Sequence, residues 1–115
     1  MTYLLLICAA ENVQLTPEES AAMGPATDAW LAEMEGVRRE GGPLRPVRQT
    51  AVVRVRDGET IITDGPSAEI KEQLGGYTIV ECADLDEALE WAAAIPAARD
   101  ASVEIRPIVA MQAPV

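Results

Sequence analysis

Apolar residues alternate and cluster along this chain in ways that define its elements. From Thr2 to Ala9 nearly every position is apolar, with Tyr3, Leu5 and Ile7 on one side of an extended strand and Leu4, Leu6 and Cys8 on the other. Such a strand needs cover on both faces. Thr16-Pro17-Glu18-Glu19 has the order of a helix start, with Thr as cap, Pro in the first turn and Glu three residues after the cap. Gly24-Pro25 should break or kink that helix. Beyond it Trp30, Leu31, Met34 and Val37 recur at helical spacing, and Gly41-Gly42 closes the segment. Leu44 to Val47 reads as a short extended piece.

The clearest signal is a hairpin. Thr50 to Arg56 and Glu59 to Thr63 flank Asp57-Gly58, a pair suited to a type I′ turn. A two-residue turn sets Arg56 opposite Glu59, Arg54 opposite Ile61 and Val52 opposite Thr63, leaving one face apolar and the other mixed. Asp64-Gly65-Pro66 turns the chain, and Ser67 to Leu74 reads as a short charged helix closed by Gly75-Gly76. Tyr77 to Cys82 is a strand. Asp84 opens a second helix with a stripe of Leu85, Ala88, Leu89, Ala92 and Ile95, ended by Pro96. Ser102 to Ile108 is the last strand, with Val103 and Ile105 on one face and Glu104 and Arg106 on the other.

The order predicts an α+β fold: a ferredoxin-like split βαβ with an extra hairpin, all in one domain over residues 1–115. Two helices cover one sheet face only, yet the first strand is apolar on both. A second copy supplies the missing cover most simply, so a homodimer with sheet-to-sheet packing is expected.

Composition then narrows the function. Nine basic and nineteen acidic residues give a net charge of −10, which argues against nucleic acid as a partner. The absence of histidine removes the commonest general base and metal ligand. No cluster has metal-ligand spacing, so neither metal nor cofactor is expected. The run at residues 4–10 is too short to span a bilayer and no basic residue precedes it, so neither a membrane partner nor a signal peptide is expected. Cys8 and Cys82 read as small buried hydrophobes of a reducing, cytoplasmic setting.

Asp64-Gly65-Pro66, Ala68-Glu69, Lys71-Glu72-Gln73-Leu74-Gly75-Gly76-Tyr77, Leu85 to Ala92 and Ser102 to Pro107 together resemble the DGPF branch of the YCII-related proteins. Ser67 stands where that branch has Phe, and Ile70 where Thr is common. The resemblance implies a dimeric α+β barrel with a cleft between sheet and helices in each subunit. Similar proteins include dehydrochlorinases, the wider barrel group includes muconolactone isomerases, and DGPF-type genes often neighbour genes for alternative sigma factors. A His–Asp pair is part of the YCII pattern, and it cannot be carried over to a chain without histidine.

Two groups of charged residues are candidates for chemistry. Lys71 is the chain's only lysine, flanked by Glu69 and Glu72 and preceded by Asp64. Asp64 or Glu72 would serve as base if desolvated, and Lys71 would hold an anion; the plainer alternative is a capped turn and solvated ion pairs. Residues 38–56 hold Arg38, Arg39, Arg45, Arg48, Arg54 and Arg56 against Glu40 alone. Arginine grips carboxylates well, so an anion pocket near Arg54 and Arg106, with the Tyr77 hydroxyl, is one reading. Ion pairing with the many acids is the other. The expected function is thus a cofactor-independent lyase or isomerase on a small anionic molecule, or alternatively a non-catalytic, effector-binding regulatory module.

Overall fold

In the computed structural model, residues 1–10, 15–65, 72–99 and 101–110 are described. The first strand, β1 (Thr2–Ala9), is followed by α1 (Pro17–Glu33), β2 (Arg38–Pro43), the hairpin strands β3 (Ala51–Arg56) and β4 (Glu59–Asp64), β5 (Gln73–Glu81), α2 (Leu85–Ala93) and β6 (Ser102–Pro107). One sheet has the order β2-β5-β1-β6, and β3 and β4 form a second, two-stranded sheet. Every pairing is antiparallel. This is the split βαβ arrangement predicted, with the hairpin inserted between its second and third core strands.

Register sorts the side chains of the large sheet. Tyr3 sits opposite Val80 and Pro107, and Leu5 opposite Thr78 and Ile105. This face packs against the helices: Tyr3, Leu5, Val80 and Cys82 form the core with Trp30, Met34, Ala88, Ala92 and Ile95. The opposite, open face carries Leu4, Leu6, Cys8, Tyr77 and Ile79, all half-buried, along with Glu104 and Arg106 at the register positions of Leu6 and Leu4.

The Thr16 cap forms as expected: the Glu19 amide donates to Thr16 Oγ1 at 3.1 Å and the Thr16 amide donates to Glu19 Oε1 at 3.0 Å. Several expectations are corrected. Helix α1 runs through Gly24-Pro25 without interruption, because Pro25 forfeits only one internal bond on a helix that is exposed nearly all round. It also ends earlier: Met34 caps it, and the amides of Val37 and Arg38 both donate to the Met34 carbonyl, turning the chain into β2. Arg38 to Pro43 is therefore a strand, despite its two glycines and lack of β-formers. Its place is fixed by pairing with β5 through a bulge between Arg38 and Glu40. Leu44 to Pro46 lies outside the sheets, with Pro46 extended at φ −53° and ψ 151°, and Val47 already opens a short 3-10 turn to Gln49. Strand β5 starts at Gln73, so Gln73 to Gly76 belong to the sheet and not to a helix end. In α2, Ala88 and Ala92 are buried but Leu85 and Leu89 are about half exposed. The buried face is the alanine side, which lets the short helix approach the sheet closely.

The hairpin matches its expected register, with Arg56 opposite Glu59, Arg54 opposite Ile61 and Val52 opposite Thr63. Asp57 has φ 52° and Gly58 φ 79°, the two left-handed residues that a type I′ turn requires. The hairpin leaves the body of the molecule: Val53, Val55 and Ile62 are 60%, 60% and 66% exposed.

Candidate functional site

The structure places the expected site residues in separate regions. Asp64 ends β4 and is exposed, on the hairpin face opposite to that of Arg54. Glu72 precedes β5 and accepts a hydrogen bond from Ser102 Oγ at 2.9 Å. Arg106 lies on the open face opposite Leu4. Tyr77 shares that face; its hydroxyl donates to Glu40 Oε1 at 3.1 Å, and this bond raises the phenol above its ordinary value of 10. Lys71, Glu69 and Ser67 lie outside the described residues. Arg54, Tyr77 and Arg106 thus do not meet in one concavity.

A cleft does lie between α1 and the helix-covered side of the sheet, where the resemblance implies one. Its volume is about 420 Å³. It is lined by Thr27, Trp30 and Leu31 of α1, by Gly41, Gly42 and Pro43 of β2, by Gly75, Gly76, Tyr77 and Thr78 of β5, and by Ile7, Ile95 and Pro96, so that of the expected ligand-binding residues Tyr77 borders it. Trp30 is held in place by its Nε1, which donates to the Trp91 carbonyl at 3.4 Å.

Among the described residues, Arg38 is the only charged side chain in this lining. Its position follows from the strand register: it sits opposite Val80 and so points to the helix side of the sheet. Its Nη2 donates to the Gly41 carbonyl at 2.7 Å. Its Nε is buried and has no hydrogen-bond partner among the described residues. A buried donor of a charged group left unpaired costs roughly 1–3 kcal/mol or more. Gly41 makes this arrangement possible. A Cβ there would stand 2.5 Å from the Tyr77 carbonyl and 2.9 Å from Thr78 Cα, so the two strands could not come this close.

A second cavity, of about 450 Å³, lies on the other side of Trp30, lined largely by alanines of α1 with Glu19 and Glu33. Glu19 is already engaged in the helix cap. Among the described residues this groove offers no basic or nucleophilic group. The thiols are not poised either: burial is the largest cause raising both, helped at Cys8 by Glu104 and Glu72 and at Cys82 by Glu87. Among the described residues no group of His, Cys, Asp or Glu could hold a metal ion.

Sequence reasoning counted Arg38 within its arginine-rich stretch but did not single it out. The signal that would have done so is the strand assignment of residues 38–43, from which its facing follows. Glycine and charge obscured that strand.

Cleft and fold together define an α+β protein of the barrel-forming kind, with a small-molecule-sized cavity under its first helix. The YCII-related domain matches residues 1–112, and the chain belongs to this family. An uncharacterised protein of Rhizobium meliloti (strain 1021) is 39% identical over 101 residues, covering 71% of this chain and 82% of that protein. Among solved structures, the chain is similar to 5-chloro-2-hydroxyhydroquinone dehydrochlorinase (TftG) from Burkholderia phenoliruptrix AC1100, in complex with 2,5-dihydroxybenzoquinone. That likeness has a TM-score of 0.56 and 15% identity, and covers 95% of this chain and 94% of the other. At this identity it establishes the fold. Among the described residues no helix is long and apolar enough to cross a membrane.

Proposed function

We propose that this protein acts on a small anionic molecule bound in the cleft beneath α1, as a cofactor-independent lyase or isomerase. The observation that carries the binding part is Arg38: a guanidinium in an apolar wall, with a buried donor that lacks an acceptor. A ligand oxygen would supply that acceptor. The reaction class is supported by the dehydrochlorinase named among similar folds. Asp64, Glu72 and Lys71 are the groups proposed to move the proton; Asp64 and Glu72 are not among the residues that line the cleft of their own chain, so this part of the proposal requires the homodimer to bring them to it. The working unit proposed is a homodimer joined through the open sheet faces, in the cytoplasm.

A second reading is a non-catalytic effector-binding module. It is favoured by the cleft lining, whose polar residues are Arg38, Thr27, Tyr77 and Thr78, without a carboxylate among the described residues. One experiment separates the two: incubation of the purified protein with a panel of small organic anions, followed by mass spectrometry for both retained ligand and product. Turnover that falls at least about a hundredfold in Asp64→Asn or Glu72→Gln, with binding kept, supports the lyase or isomerase. Ligand retained without product supports the effector module. If Arg38→Gln leaves both retention and turnover unchanged, the cleft is not the site.

A further inference from the structure

The geometry points to a particular class of ligand for this cleft: a flat, largely apolar monocarboxylate, its carboxylate on Arg38 and its body against a floor of glycine backbone. This rests on the cleft reading above and specifies it.

The charge count sets the first limit. One guanidinium in an apolar wall balances one negative charge. The chain carries a net −10, so its overall field opposes a second charge on the ligand. Arginine presents its donors as a planar fork, which matches the two oxygens of a carboxylate better than a point acceptor. Part of the fork is already used, since Nη2 is tied to the Gly41 carbonyl. This tie fixes the plane of the guanidinium and leaves the Nε edge as the donor without an acceptor.

Shape sets the second limit. Gly41, Gly42, Gly75 and Gly76 come from the neighbouring strands β2 and β5, with Gly42 opposite Tyr77 and Pro43 opposite Gly76. Four positions without side chains leave peptide planes as the floor. A side chain at Gly76 would begin 3.2 Å from the Gly42 carbonyl oxygen, which marks how closely these strands lie. Trp30 stands in the facing helix wall, 7% exposed. A planar apolar body fills such a slot with least loss of contact, and aromatic surfaces favour offset or edge contacts with one another. Ile7, Leu31 and Ile95 complete an apolar enclosure that rewards a body without further polar groups.

The test uses isothermal titration of the full chain with three compounds: benzoate, its neutral isostere benzamide, and the dianion phthalate. Benzoate is expected to bind about tenfold or more tightly than either of the others, the worth of one hydrogen bond to a charged group. In Arg38→Gln the preference for benzoate over benzamide should vanish, and Arg38→Lys should keep only part of it. Leu31→Trp, which fills the cavity while keeping Arg38, should abolish benzoate binding while leaving the melting temperature near that of the parent. Absence of benzoate binding to the parent protein, or equal binding of benzoate and benzamide, overturns this ligand class. Benzamide binding that is lost in Leu31→Trp would still uphold the cleft. Benzoate binding that survives Leu31→Trp removes the cleft itself.

Discussion

Tyr77 joins two settings, the border of the cleft and a hydrogen bond to the next strand. It borders the cleft, and its hydroxyl reaches Glu40 on the neighbouring strand β2. The bond holds the phenol protonated in the folded state to higher pH than the ordinary value of 10. A raised pKa contributes stability below the unfolded value, and that contribution is lost as pH rises through the folded one. Replacing Glu40 by Gln should therefore bring the Tyr77 titration back toward 10, as read by near-ultraviolet absorbance. An unchanged titration would mean that the hydrogen bond does not form in solution. Arg38 is a residue with no distinctive sequence context whose facing, set by register, brings it into the cleft.

At the scale of elements, the legible parts were those whose signals are local. The Thr16 cap, the Asp57-Gly58 turn and the Asp84 cap each depend on residues within four positions of one another, and each formed as read. The capping box should contribute about 1 kcal/mol. Thr16→Ala is accordingly expected to lower the unfolding free energy by that amount in urea, with an unchanged denaturant slope. The parts that were not legible depend on distant partners. Nothing within residues 38–43 favours a strand; pairing with β5, some forty residues on, makes it one. Leu85 and Leu89 fit the helical stripe by spacing, yet the face that packs is set by where the sheet lies, and alanines allow a closer approach. The site was hidden for the same reason. Its one charged group faces the cleft only because β2 is a strand with a bulge, and its floor is glycine, which carries no chemical signature.

For the molecule as a whole, surface is the outstanding matter. The Cα radius of gyration is 16.8 Å, against about 13 Å for a compact chain of this length. The hairpin's Val53, Val55, Ile61 and Ile62 are exposed. A two-stranded hairpin has little stability alone in water. Together with the apolar open face of the large sheet, it supports the homodimer proposed above. Sedimentation equilibrium at micromolar concentration should give twice the 12.3 kDa chain mass, and Leu6→Glu on the open face should return the protein to one chain. A parent protein that sediments as a monomer would overturn the proposal.

The central place of β1 has a consequence for biosynthesis. This strand is synthesised well before its two hydrogen-bonding neighbours, β5 and β6, the nearer of which begins at residue 73. At about 5–20 residues per second, the greasiest stretch of the nascent polypeptide waits several seconds for a mate. The large sheet therefore cannot close around β1 until β5 and β6 have been made, and production of this protein should benefit from holdase chaperones that shield β1 in that interval.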